Sequence, residues 1–479
     1  MRYVTIIGGG IAGLATAYYL QRVSRERGVP LHVVLLERDG RLGGKILTER
    51  ANGFVVEGGP DSFINQKPQG LQLCRELGLG GELISSNDAT YKTRLLQRGR
   101  LLPYPEGFRL AVPTKIWPFV RSPLLSPLGK LRMGMDLLLP RRTDPSDESL
   151  THFICRRLGR EALEKIAGPI MSGIYVADPD RMSVQSTFPM FVDLEKKYRS
   201  LTLGILKARR AAAKHAAPGA APAGIFTALK NGMGSLIEAL AHELQIEVRL
   251  NCEVAAVTRE GERFRVAPRA AADPGFLTDE LVMAAPAFEA ARLLAGIEPD
   301  VAGLLGTVRY VSSATVSLCY PDAALAGCAD GGGFGFVVPR SEPSRILAFT
   351  WSCRKFDHRA PPGWQLVRAF VGGSRHEPLA SLPEDELLRL VREELASILH
   401  VTAAPDRSWI YRWPSGNAQF DVGHLDRVAG MERLAAAVPG LHLVGSAYRG
   451  VGIPDCARGG RAVAEAIVGR AQTPTAAAG

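Results

Sequence analysis

Tyr3-Val-Thr-Ile-Ile7-Gly8-Gly9-Gly10-Ile11-Ala12-Gly13-Leu14 is the stretch on which the fold turns. The five residues ahead of the glycines form an apolar run ending at a turn signal, the pattern of a buried strand. Leu14 to Arg22 then reads as a helix, and His32-Val-Val-Leu-Leu36 as the next strand, closed by Glu37. Gly8–Gly13 satisfies G-x-G-x-x-G. That signal is weak alone, but here it sits in the strand, helix, strand and terminal acid that a dinucleotide fingerprint requires. Gly8 permits the tight turn, Gly10 lets the backbone approach a pyrophosphate, and Gly13 lets helix and strand pack closely. Gly9, Ile11 and Ala12 complete a turn whose free N–H groups and helix dipole favour phosphate. Glu37 is placed to accept hydrogen bonds from ribose hydroxyls. The plain alternative is a glycine turn that holds nothing.

The rest of the chain bounds what such a unit serves. At 479 residues it is too long for a single core, which predicts two or three domains. Its 46% hydrophobic and 22% charged content is that of a folded, water-exposed protein. A formal charge of +10 allows an acidic partner, with an arginine-rich surface as the bland alternative. Nucleic acid is disfavoured, since there is neither zinc-finger spacing nor a basic run with interleaved aromatics. Seven cysteines without a C-x-x-C pair read as reduced thiols, and no metal site is expected. A strand beginning at Tyr3 predicts no secretory leader, and no apolar run reaches the roughly 18 residues of a membrane span. The expected location is cytoplasmic, with peripheral attachment to the inner face of the membrane as an option.

Two further glycine clusters separate one dinucleotide from another. Glu37-Arg38-Asp-Gly-Arg41-Leu-Gly43-Gly44-Lys45 sets paired glycines and flanking cations just after the ribose-binding acid. Near the far end, Val444-Gly445-Ser446 follows a strand, and Gly450-Val451-Gly452-Ile453-Pro454-Asp455 opens a helix. These resemble the second and third signatures of the amine oxidase-like FAD superfamily. The resemblance implies an α/β plus α protein: a Rossmann-type FAD-binding domain, a sheet-based substrate domain and a helical domain. It further implies that the last helix brings its N-terminus to the flavin ring, where partial positive charge stabilises the reduced form.

A narrower resemblance is carried by Glu57-Gly-Gly59-Pro60-Asp61-Ser62-Phe63, Pro169–Pro179, Ser183–Pro189, Asn231–Leu236, Ala369–Gly373 and Gly450–Cys456. These segments are similar to the porphyrinogen oxidases of haem biosynthesis, from the first strand to the last helix. Pro113–Phe119 and Gly129–Asp136 are most similar to the Gram-positive-type coproporphyrinogen III oxidases. The resemblance implies hydride transfer from a meso carbon of the porphyrinogen to FAD, with oxygen reoxidising the cofactor and hydrogen peroxide released. Coproporphyrinogen III is the first substrate implied and protoporphyrinogen IX the alternative; contact with downstream haem-pathway enzymes is a further option. No acid–base dyad is nominated. Asp61 lies beside the flavin in this reading, either orienting a pyrrole N–H or shaping its turn. A macrocycle with carboxylate arms needs apolar walls and cations at the rim. The resemblance nominates Arg94 and Lys67 for the propionates, and Ile174, Tyr175, Val337 and Phe370 for the walls. Val254 is matched to the adenine and Trp413 to the flavin. After Trp413 the chain departs from the family, reading Asn417-Ala-Gln-Phe420.

Other readings share the cofactor motifs. An amine oxidase needs an aromatic cage, where this chain offers Ala447-Tyr448-Arg449, and a carotenoid desaturase binds an uncharged polyene. A non-catalytic porphyrin carrier retaining FAD is a third. The expected organisation is a discontinuous FAD-binding domain from 1–85, 225–290 and 420–472, and a helical domain from 89–201 able to touch a membrane. A substrate-binding domain from 291–419, a flexible insertion at 211–224 and a disordered tail at 473–479 complete it.

Overall fold

Five short strands lie parallel in one sheet, in the spatial order Glu247–Arg249, Leu31–Leu36, Arg2–Ile7, Glu280–Met283, Leu441–Leu443. The computed structural model describes residues 1–88, 90, 92–109, 111–215, 224–269, 275–329 and 332–472. The inner strands are near-continuous apolar runs because helices cover both faces. Ile7 sits level with Leu36 on one side and Met283 on the other. Chain order reverses direction at Arg2–Ile7, so a crevice opens at the carboxyl end of that strand, where such sheets bind ligands.

The helix Ile11–Arg27 follows at once and ends on Gly28, whose φ of 63° is the left-handed stop. It packs against the last helix, Ile453–Gln472. A Cβ on Gly460 would lie 2.7 Å from the Thr16 nitrogen, so the two ends of the chain meet through a glycine contact. Gly13 plays the same part inside the fingerprint, since its Cβ would lie 1.9 Å from the Gly8 carbonyl oxygen.

A second, seven-stranded sheet has the order Arg407–Ala418, Tyr310–Pro321, Trp364–Gly372, Ile346–Trp351, Gly333–Val337, Lys92–Gln97, Arg100–Pro103. One face is sealed by the helix Glu384–Leu399 through Leu387, Val391, Leu395 and the sheet residues Val316, Leu318, Phe349 and Val367. The opposite face turns towards the parallel sheet. Helices from Ile116–Arg121 to Leu201–His215 form a third body around Phe153, Ile166, Met171 and Phe191. Arg157, fully buried, ties it together. Its Nε donates to Asp136 at 2.8 Å, and its Nη groups reach the carbonyls of Pro140 and Arg199.

Three expected boundaries move. Lys92–Gln97 and Arg100–Pro103 belong to the seven-stranded sheet and not to a helical domain beginning at 89; the consecutive Leu95 and Leu96, buried on opposite faces, are the short apolar run that the surrounding prolines obscured. The helix Pro299–Gly306 buries Val301 and Leu305 in the same core as Ile7 and Leu281, so residues 291–308 pack with the parallel sheet. Residues 211–215 continue the helix Leu201–His215. The rest of the expected insertion, 216–223, and the tail 473–479 lie outside the described residues.

Candidate functional site

Gly10 has φ −71° and ψ 176°, a conformation open to any residue, and a Cβ on it would meet nothing within 4 Å. Neither backbone strain nor packing within the chain requires glycine here. The open backbone lies at the crevice mouth and at a helix start, where a pyrophosphate would lie. Gly8 (φ 113°) is fixed by the chain itself, because its Cβ would meet Ala284 at 2.9 Å. Ile11 and Ala12 form the first helical turn, whose N–H groups have no intrahelical acceptor.

Glu37 is buried and holds the loop from below. It accepts the Gly9 N–H at 2.6 Å and the Asp39 N–H at 2.8 Å. A carboxylate has about four acceptor positions, so two remain for ribose hydroxyls. Gly43 docks on the fingerprint through its N–H to the Gly9 carbonyl at 2.8 Å, and Gly44 lies directly against Gly10. Arg41 braces that second glycine turn, donating to the carbonyls of Leu42, Gly44 and Ile46. Arg38 stays out in solvent beside Asp39. Lys45 is accessible yet enclosed by protein on nearly every side, as a side chain lining a deep cleft would be. Its Nζ donates to the Gly416 carbonyl at 2.5 Å, and burial pushes its amine below the ordinary value. These residues fit FAD: an open backbone cradle at a helix start, spare acceptors for the ribose, and a cation inside the cleft.

The C-terminal turn completes the crevice. Gly445 and Ser446 follow the strand Leu441–Leu443, and Val451, Gly452 and Ile453 lead into the last helix. Gly450 has φ 151° and abuts Asp455, so a side chain there has no room. Lys67, nominated for a propionate, instead donates to Asp455 at 2.5 Å, tying the N-terminal segment to the last helix. Val254 is buried at the start of its strand and its carbonyl accepts from Arg292 at 3.0 Å.

The loop Gly58–Ser62 joins the two sheets. The Gly58 carbonyl accepts from Trp413 Nε1 at 2.9 Å, Thr315 Oγ1 at 3.0 Å and Arg368 at 3.0 Å, and Arg368 also reaches the Gly59 carbonyl at 2.7 Å. A Cβ on Gly59 would overlap the Lys45 carbonyl oxygen, so this crossing requires glycine. Beyond the exposed Pro60, Asp61 accepts from Lys355 Nζ at 2.8 and 2.9 Å and from Ser62 at 2.6 Å. Burial alone would raise the Asp61 carboxyl, but the Lys355 and Arg368 charges and these hydrogen bonds outweigh it and hold it far below the usual carboxylate range. Lys355 and Arg368 escaped sequence reading. Arg368 had a signal, a lone cation at an alternate position of the apolar strand Trp364–Gly372; Lys355, in the cation-rich Arg354-Lys355, had none.

Among the wall nominees, Phe370 lies on the same face as Arg368, whose guanidinium stands 4.8 Å over its ring. Val337 joins that face through the Ala348 register. Tyr175 packs edge-on to Phe188 and against Phe420, between helical body and sheet, while Ile174 beside it is exposed. Arg94 is set apart. Its register with Phe336 turns its Cβ to the opposite face, and its guanidinium runs beside Gly332 and Gly333 with Nε enclosed and, among the described residues, without a hydrogen-bond partner.

Comparison with known proteins adds the family. A family model described as flavin-containing amine oxidoreductase matches residues 11–468. The coproporphyrinogen III oxidase of Bacillus subtilis (strain 168) is 36% identical over 465 residues, covering 96% of this chain and 97% of that protein. Protoporphyrinogen oxidase 1, chloroplastic, of Arabidopsis thaliana is 30% identical over 476 residues, covering 95% and 86%. A crystal structure from Exiguobacterium sp. 255-15, described as a protoporphyrinogen oxidase, superposes with TM-score 0.84 at 33% identity, covering 98% of this chain and 99% of that one.

Proposed function

The chain belongs to the flavin-containing amine oxidoreductase family, and from that premise we propose that it oxidises coproporphyrinogen III to coproporphyrin III in haem biosynthesis. One observation carries the reading: similarity at 36% identity to a coproporphyrinogen III oxidase extends over 96% of the chain. Protoporphyrinogen IX is the second substrate considered, because a relative named for it is 30% identical over a comparable span.

FAD, when bound, supplies the two-electron acceptor, and oxygen is the proposed terminal oxidant. Gly10, the helix start and Lys45 would hold its phosphates, with Glu37 at the ribose. The chain contributes position and electrostatics. Phe370 and Val337 offer an apolar wall to the macrocycle, and the loop Gly58–Ser62 ties that wall to the dinucleotide crevice. Arg94, whose Cβ lies on the face opposite Phe370 and Val337, is proposed as a rim cation for a propionate beyond that wall, its Nε having no hydrogen-bond partner among the described residues.

Turnover of purified, FAD-loaded protein with the two porphyrinogens in parallel, followed by porphyrin fluorescence, tests the proposal. Faster conversion of the tetracarboxylate supports it. Preference for protoporphyrinogen moves the chain to the other branch, and no porphyrin from either refutes the reading.

Among the described residues no helix is long and apolar enough to cross a membrane. The helices Ile116–Arg121 and Pro127–Gly134 nevertheless expose Ile116, Trp117, Leu128 and Leu131 close to Arg121 and Lys130. An apolar surface flanked by cations suits an anionic bilayer face, and peripheral contact there belongs to the proposal. Co-sedimentation with phosphatidylglycerol vesicles but not with phosphatidylcholine vesicles is the expected result.

A further inference from the structure

Lys355 and Asp61 are 294 positions apart in sequence and meet where the two sheets face each other. Both carboxylate oxygens lie within 2.9 Å of the Lys355 amine. The Lys355 stem is itself held in place, its amine standing 4.9 Å from the Phe226 ring centroid and 5.3 Å from that of Phe356. The Asp61 side chain is 21% exposed and that of Lys355 12%, so the pair is largely enclosed but still reachable from outside the protein. Behind it stands Arg368, anchored on the Gly58 and Gly59 carbonyls and covered by Phe370. A carboxylate thus stands beside the Gly58–Gly59 crossing and the Arg368–Phe370 stack, and the cation fixing it comes from a segment that no cofactor motif includes.

We propose that Asp61 is a fixed negative charge that stabilises the macrocycle as it loses hydride, and that Lys355 is the positioning residue that holds it there. The proposal rests on the porphyrinogen reading. Breaking a meso C–H bond sends hydride to the bound FAD and leaves the macrocycle with one positive charge. Breaking a pyrrole N–H bond then releases a proton to water and restores neutrality. The macrocycle is oxidised by two electrons and FAD is reduced by two. A carboxylate held ionised by two cations is a poor proton acceptor but a strong electrostatic partner for the transient cation in a water-poor cleft. Asp61 acts through its charge and not as the base.

The groups facing Asp61 set the expected pH behaviour. Lys355, Arg368 and the Ser62 hydroxyl favour its ionised form; Glu57 opposes it, while Arg359 lies near both carboxylates. Lys355→Met keeps most of the stem and removes the closest cation. An opposite charge at this range is worth about 1–3 pKa units, so the acid limb of kcat/KM should move up by that amount. Lys355→Arg should restore the parent profile. Asp61→Asn should lower kcat by about 100-fold with little change in KM, as loss of one preorganised charge-stabilising group does.

The experiment measures these pH profiles alongside a pH titration of the FAD absorption spectrum in the same holoproteins. The expected result is an upward shift in both readouts for Lys355→Met, absent when Asp61→Asn is added. A Lys355→Met profile that superimposes on the parent, or an Asp61→Asn variant with parent kcat, overturns the proposal. If Lys355→Met does not fold, the Asp61→Asn rate and the Lys355→Arg profile decide alone. A parent that makes no porphyrin refutes the porphyrinogen reading, and with it the role of Asp61 in hydride loss. The spectral titration would still report whether Lys355 holds Asp61 ionised.

Discussion

Gly10→Ala separates folding from cofactor binding. The backbone at Gly10 already has a conformation alanine adopts, and the added methyl meets nothing within 4 Å. In the apoprotein two small effects oppose each other. Reduced freedom of the unfolded chain stabilises by about 0.4–1 kcal/mol, and alanine in place of glycine at a helix N-cap costs a similar amount. Net stability should therefore stay within about 1 kcal/mol of the parent. With FAD present the methyl occupies the contact between backbone and pyrophosphate. Forcing one such group into a filled contact costs about 1–3 kcal/mol, which weakens binding by about 5- to 150-fold. Gly10→Glu adds a carboxylate against the phosphates and should abolish binding. Gly13→Ala is the opposite control, because its Cβ lies 1.9 Å from the Gly8 carbonyl oxygen and the apoprotein itself must suffer. Denaturant unfolding of the apoproteins, paired with fluorescence titration of FAD, reads both quantities. A Gly10→Ala apoprotein destabilised by more than about 2 kcal/mol, beyond what these two terms allow, would refute the argument. So would FAD affinity equal to that of the parent.

Arg157→Met leaves Asp136 fully buried with, among the described residues, Ser200 and Thr202 as its remaining donors, and should cost about 3–5 kcal/mol in denaturant unfolding; a loss below about 1 kcal/mol, the scale of an exposed pair, would show that the core relaxes around the lone carboxylate. His424 is buried, stacked on Phe420 and bonded to the Tyr448 carbonyl, and burial pushes its pKa down to about 4. The unfolded chain therefore binds the proton first, and about 3 kcal/mol of stability present above pH ~6.5 is lost as pH falls towards ~4. His424→Gln, which keeps a donor near Nε2, should flatten that part of the pH–stability curve, and an unchanged slope would assign it to other groups. Arg94→Ala should raise the porphyrinogen KM more than it lowers kcat, as loss of a remote anchor does; an unchanged KM removes Arg94 from the pocket.

What the sequence made legible follows from how each contact is encoded. The dinucleotide crevice is written in backbone: Gly10 must be bare for a ligand, Gly13 and Gly59 must be bare for the chain, and glycine in a strand-turn-helix context announces both. Glu37 is readable because its role is tied to a fixed distance along the same βαβ unit. The wall of the second sheet is half readable, since alternation in Trp364–Gly372 marks a two-faced strand without saying which face meets the crevice. Arg94 shows that limit, because a single-residue register decides its side of the sheet, and the Gly333/Gly335 bulge lies next to it. Lys355 shows another. Its meaning depends on Asp61, and nothing in a local window joins positions 61 and 355; only the packing of one sheet over the other does. Lys67 is the converse case. A lysine beside the Pro60–Asp61 turn looked free to take a propionate, and Asp455, from the opposite end of the chain, occupies it instead. Charges near this crevice are thus partnered across long sequence separations, which is why its electrostatics follow from the fold and its glycines from the sequence.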